Sequence, residues 1–235
     1  MRVLLINFAI CGVMWAVPAR ADTYKVYDPA DAIDYALTNY SAVYGSGGGQ
    51  NPFYNYAGLL GGNCTNFVSQ AIMAGLVQSD SMSTVYGQRT NYDIDITSTY
   101  YQWYFISDSS RGPAFTGANK LYEYADYNQP SYRGLHFELV TYDTLTEFMD
   151  YQLVEVGDVV FADWGTADGV IDHSMLVTDI QTWRLGYNEI RLTYQGAPGG
   201  VVGVTNIGLG DINEDENYEA LFYVYRPVDY NPSGL

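Results

Sequence analysis

Apolar residues recur along the chain at two spacings, and each spacing names an element. Behind Asp28-Pro29-Ala30-Asp31, the residues Ala30, Ile33, Leu37 and Tyr40 fall three and four apart, the period of one helical face. The start carries matching chemistry: Asp28 as N-cap, Pro29 where a missing N–H costs nothing, and Asp31 as a capping acid. A second run, Phe67, Val68, Ala71 and Ile72, has the same period, with Asn63 as N-cap and Gly75 expected as the stop. Ala118 to Tyr127 and Tyr142 to Tyr151 also show helical spacing. Two runs of β-branched and apolar residues, Val159-Val160-Phe161-Ala162 and Met175-Leu176-Val177-Thr178, flank a polar loop and read as adjacent strands. Asn188 to Gln195 reads as the next strand, turned around Gly186, and Ala220 to Arg226 as one that closes the sheet. The class is α+β. Residues from about 77 to 152 are expected as an irregular insert with two helices walling one side of a cleft, and residues 22–235 as a single domain, with no repeat or linker.

The N-terminus changes this picture. Arg2 precedes an apolar run from Val3 to Val17, too short to span a bilayer comfortably, followed by Pro18-Ala19-Arg20-Ala21, an A-x-A cleavage pattern. Residues 1–21 are therefore expected to be a signal peptide, removed on export, and Cys11 goes with them. The remaining chain is long enough for a buried core without metal or disulfide staples. Its charge, formally -17 for the whole sequence, falls to about -19 when Arg2 and Arg20 are lost. Such a field disfavours nucleic acid and anionic membrane surfaces. The 24 tyrosines show no repeat spacing and read as core and sheet residues before sugar-stacking platforms.

Cys64 is then the sole cysteine of an exported chain, where an odd thiol points to reactivity. In Gly61-Gly62-Asn63-Cys64-Thr65-Asn66 it falls in the first turn of its helix, where unsatisfied N–H groups and the positive dipole end favour a thiolate. Those N–H groups, at Asn63 and Cys64, are also candidates to hold the oxyanion of a tetrahedral intermediate. Of the two histidines, His173 stands at the mouth of a strand, in Asp172-His173-Ser174, and is the candidate base. His136, in Arg133-Gly134-Leu135-His136-Phe137, reads as structural. The acidic run Asp211 to Asn217 imitates a calcium loop but has Glu216 at the glycine position and Phe222 at that of the bidentate acid, so it reads as an acidic surface turn between strands. One cysteine and two histidines in separate contexts make no zinc set. No metal or cofactor is expected.

These residues carry a resemblance. Asn51-Pro52-Phe53-Tyr54, the block Asn63-Cys64-Thr65-Asn66-Phe67-Val68-Ser69-Gln70, and Val156-Gly157-Asp158-Val159-Val160 with Asp172-His173-Ser174 resemble the putative amidase domain family of secreted bacterial proteins. That family is similar in layout to the NlpC and CHAP groups of the papain-like cysteine hydrolases. The resemblance implies a helix carrying Cys64 packed on an antiparallel sheet that presents His173, with a polar third residue on the next strand orienting the imidazole. The nearest match to that third residue is Gln195, with Tyr194, Asp172 and Asp179 as competitors. The implied activity is that of a cysteine amidase or peptidase, a monomer acting on peptide amides such as peptidoglycan stems. A non-catalytic secreted binding protein on the same scaffold and an acyl transferase remain as alternatives.

Overall fold

The computed structural model describes residues 24–42, 53, 63–89, 102–107, 110–127, 134–144, 152–164, 168–182, 188–197, 201–216 and 220–231. The expected signal peptide lies outside them. Strand β1 (Lys25–Val26) leads into α1 (Pro29–Asn39), followed by α2 (Cys64–Val77) and α3 (Met82–Gln88). A small hairpin, β2 (Phe105–Ser107) and β3 (Ser110–Arg111), precedes α4 (Pro113–Thr116) and α5 (Ala118–Tyr127). Then come β4 (Gly134–Thr144), β5 (Val159–Asp163), β6 (His173–Thr182), β7 (Asn188–Ala197), β8 (Val201–Gly208), α6 (Leu209–Glu216) and β9 (Leu221–Asn231).

The main sheet runs β1-β9-β5-β6-β7-β8, with β4 also on β9, and its pairings are antiparallel. Strand β9 does not close an edge, as the sequence reading has it; it pairs with β4, β5 and β1. Among its described residues, the stretch from 77 to 152 holds α3, the β2–β3 hairpin, α4, α5 and β4. Its β4 is an eleven-residue strand that pairs with β9 from Gly134–Asn231 to Thr144–Leu221. Residues 142–144, expected as helix, belong to this strand, and the rest of that expected helix lies outside the described residues.

Both faces of the sheet are covered, which is why β5 and β6 read as continuous apolar runs. Val159, Phe161 and Leu176 face a core that includes Phe67, Val68 and Ile72 of α2. Val160, Ala162, Met175 and Val177 face another, with Leu192, Phe222 and, from α6, Leu209 and Ile212. The expected acidic turn is thus helix α6, one of whose apolar sides closes the second core.

Helix α2 is buried along its whole length up to Leu76, well beyond the single apolar stripe. Gly75 does not stop it. The helix ends at Gln78, which takes the left-handed conformation at φ 56°. Gly75 is small for another reason: a Cβ there would meet the Tyr27 ring at 2.5 Å and the Asp28 carbonyl at 2.6 Å. Helix α1 begins as expected, with Ala30 N–H donating to Asp28 Oδ1 at 2.9 Å. Its buried face, however, is Ala32, Tyr35, Ala36 and Asn39, while Leu37 is exposed. Counting apolar letters misses this face because Tyr35 and Asn39 bury their rings and amides by bonding their polar atoms, Tyr35 Oη to Gln70 Oε1 and Asn39 Nδ2 to the Tyr35 carbonyl.

Candidate active site

Cys64 is the first residue of α2 and His173 the first residue of β6. The residues that follow them are joined: Thr65 Oγ1 and Ser174 Oγ share a hydrogen bond of 3.0 Å. That bond docks the start of the helix on the start of the strand. Both side chains at the junction are withdrawn from solvent, Cys64 at 5% exposure and His173 at 4%. Burial by itself pushes the Cys64 thiol up. The charge of a protonated His173, a hydrogen bond from its ring, one from Thr65 and one from the Ser174 backbone overcome it and bring the thiol down to about 6. His173 thus favours the thiolate of Cys64 against the effect of burial.

Asn63 occupies the N-cap position, but its side chain caps nothing: no backbone N–H of the first turn is bonded to it. It starts instead a buried chain of amides. Asn63 Nδ2 donates to Gln195 Oε1 at 2.6 Å, Asn66 Nδ2 to Asn63 Oδ1 at 2.9 Å, Gln70 Nε2 to Asn66 Oδ1 at 3.1 Å, and Tyr35 Oη to Gln70 Oε1 at 2.7 Å. Amides at i, i+3 and i+7 on one helical face are visible in the sequence, and that spacing was the available signal for the chain. With the Asn63 side chain turned away, the N–H groups of the first turn keep their dipole directed at whatever approaches the sulfur.

Gln195 does not orient His173. Its Nε2 donates to the carbonyls of Asn39, Tyr40 and Ala42 at 3.1, 2.8 and 3.2 Å, and its Oε1 serves Asn63. It thus satisfies carbonyls at the C-terminal end of α1, which the helix itself leaves unbonded, and fixes the residue before the nucleophile. The sheet register explains the discrepancy. Leu176 pairs with Thr193, so continuing the ladder sets Gln195 opposite Ser174 and turns His173 to the other face, which Tyr194 shares. The rings of His173 and Tyr194 are perpendicular, 88°, with centroids 4.8 Å apart, and the Trp164 ring lies 5.9 Å away. His173 Nε2 is buried and has no hydrogen-bond partner. Asp172 is exposed and accepts the Trp164 N–H at 3.1 Å, while Asp179 accepts from Ile180 and Gln181. Neither serves the imidazole. His136 is structural: its Nδ1 pairs with Asp229 Oδ1 at 2.7 Å.

An α+β domain in which a helix start and a strand start bring together a depressed thiol and a histidine has the making of a nucleophilic hydrolase. The chain belongs to the putative amidase domain family, whose model matches residues 26–196. Hydrolysis of amide bonds is the general chemistry that membership carries. No curated protein and no solved structure matches the chain. The match takes in α1, α2, β5, β6 and nearly all of β7, and so both Cys64 and His173.

Proposed function

We propose that this protein is an exported cysteine amidase or peptidase, with Cys64 as nucleophile and His173 as general acid and base. The observation that carries the reading is the docking of the α2 start on the β6 start through the Thr65–Ser174 hydrogen bond, which brings His173 to a buried Cys64 whose thiol it lowers. The thiolate attacks the amide carbonyl carbon, forming a C–S bond, and the carbonyl oxygen takes the negative charge. Backbone N–H groups at the start of α2, that of Cys64 first among them, stabilise this oxyanion. As the tetrahedral species collapses, the C–N bond breaks and the His173 imidazolium gives its proton to the leaving amine. Neutral His173 then takes a proton from water, which attacks the thioester and releases the acid with the thiolate restored. The A-x-A pattern ahead of residue 22 supports an address outside the cytoplasm, and short wall peptides are the amide substrate that address favours.

The test is incubation of the chain lacking residues 1–21 with purified wall sacculi and, separately, with a mixed peptide pool, new amine termini being read by mass spectrometry. New termini in stem peptides that vanish with Cys64→Ala support the wall reading. Cleavage confined to the peptide pool replaces it with a general exported peptidase. Absence of cleavage in both arms, with a thiol that resists alkylation, favours the non-catalytic binding protein. Transfer of the acyl group to added amines in place of water marks an acyl transferase.

A further inference from the structure

We propose that the aromatic ring of Tyr194 is the positioning group for His173, taking the place that a carboxylate or amide oxygen would fill beside a catalytic imidazole. The inference rests on the dyad proposed above. For neutral His173 to accept a proton, the nitrogen facing the sulfur must present its lone pair, so the ring proton must sit on the other nitrogen. Nε2 is the nitrogen without a hydrogen bond, which leaves Nδ1 for Cys64 and puts the proton on Nε2. A buried N–H calls for a partner. The polar side chains that could approach are engaged elsewhere: Gln195 with Asn63 and α1, Asp172 with Trp164, Asp179 with its own strand.

What lies against the imidazole is Tyr194, its ring perpendicular to it with centroids 4.8 Å apart, a geometry that allows an imidazole N–H to be directed at the π-face. The same face attracts the imidazolium that forms when the thiol or water gives up its proton. Tyr194 is well placed to do this rigidly. It sits within β7, is buried, and packs in the second core with Leu192 and Phe222, so the ring cannot swing aside as His173 changes charge. Trp164 bounds the imidazole at 5.9 Å and limits its rotation.

The experiment compares Tyr194→Phe, which keeps the ring, with Tyr194→Leu, which keeps an apolar core side chain but removes the π-face. The probe is p-nitrophenyl acetate, whose acyl-enzyme must be hydrolysed with the help of His173. In Tyr194→Leu the deacylation rate, read as kcat, should fall about thirtyfold, the scale of one desolvated cation–π contact, with KM little changed. Tyr194→Phe should restore it. Equal losses in both variants assign the effect to the hydroxyl and overturn the proposal, as does a wild-type rate in Tyr194→Leu. A readout independent of activity uses the Cys64→Ala chain labelled with ¹⁵N-histidine. The Nε2 proton should be present, slow to exchange and shifted upfield by the tyrosine ring current, and in the Phe variant the same. A His173 that carries its proton on Nδ1, or an Nε2 proton with no ring-current shift, overturns the proposal even where the Leu variant fails to fold. If Cys64→Ala still turns over the ester, the dyad itself falls; if Cys64→Ala is dead while Tyr194→Leu is normal, only the role of Tyr194 does.

Discussion

Replacing His173 with alanine separates the two forces that act on Cys64. In the intact protein burial raises the thiol, and the histidine charge and hydrogen bonds bring it from 9.0 to about 6. A difference of three pH units corresponds to about 4 kcal/mol favouring the thiolate. At pH 7 the wild-type sulfur is then roughly nine-tenths thiolate, whereas in His173→Ala burial is opposed only by the Thr65 and Ser174 hydrogen bonds, and a return to the ordinary value of 9.0 would drop the fraction to about one per cent. The rate of alkylation will not follow in proportion. A thiolate of higher pKa is a better nucleophile, with a Brønsted slope of about 0.4–0.5, and three units return roughly a twentyfold gain per thiolate. The net loss at pH 7 is therefore only about fivefold, and the decisive quantity is the titration midpoint. Iodoacetamide modification of the chain lacking residues 1–21, followed by intact mass from about pH 5 to pH 10, reads that midpoint on its single thiol. It should lie near 6 in the wild type and move up towards the ordinary thiol range in His173→Ala. A wild-type midpoint at the ordinary thiol value, or one that His173→Ala leaves in place, refutes the coupling between the two residues.

Substitutions at three positions probe the frame around the site. Gln195→Leu removes the acceptor of Asn63 Nδ2 and the donor to the carbonyls of Asn39, Tyr40 and Ala42, of which Asn39 keeps the Ala42 N–H; urea unfolding should show a loss of about 1–3 kcal/mol. Gly75→Ala should lower stability by about 1–3 kcal/mol in thermal or urea unfolding despite alanine's better helix propensity, because the added Cβ meets Tyr27 and the Asp28 backbone. A gain in stability there would show that the α2 packing can yield. Arg226→Ala leaves Asp158, 1% exposed and held by Arg226 Nε at 2.8 Å, as a buried carboxyl without its cation, and should cost about 3 kcal/mol in the same assay. Arg226→Lys, unable to form the two-pronged contact that the guanidinium makes at 2.8 and 3.0 Å, should recover only part of it.

The amino-acid sequence by itself determined the elements whose signals are local. The α2 start at Asn63-Cys64, the cap of α1 at Asp28 and the β5–β6 pair with His173 at a strand mouth each follow from period, cap chemistry and β-branching within a dozen residues. Those signals placed the two residues proposed as nucleophile and base, Cys64 and His173, each at the first position of its element. Tertiary structure decided the rest. Whether Gln195 or Tyr194 meets His173 depends on which residues of β6 and β7 stand opposite each other, and a shift of one residue in that register exchanges the two faces. The buried face of α1 depends on Gln70 being there to receive Tyr35. Gly75 looks like a helix stop until the approach of Tyr27 and Asp28 shows why no side chain fits. In each case the deciding partner lies far along the chain, and a local pattern carries no record of what a residue will be packed against.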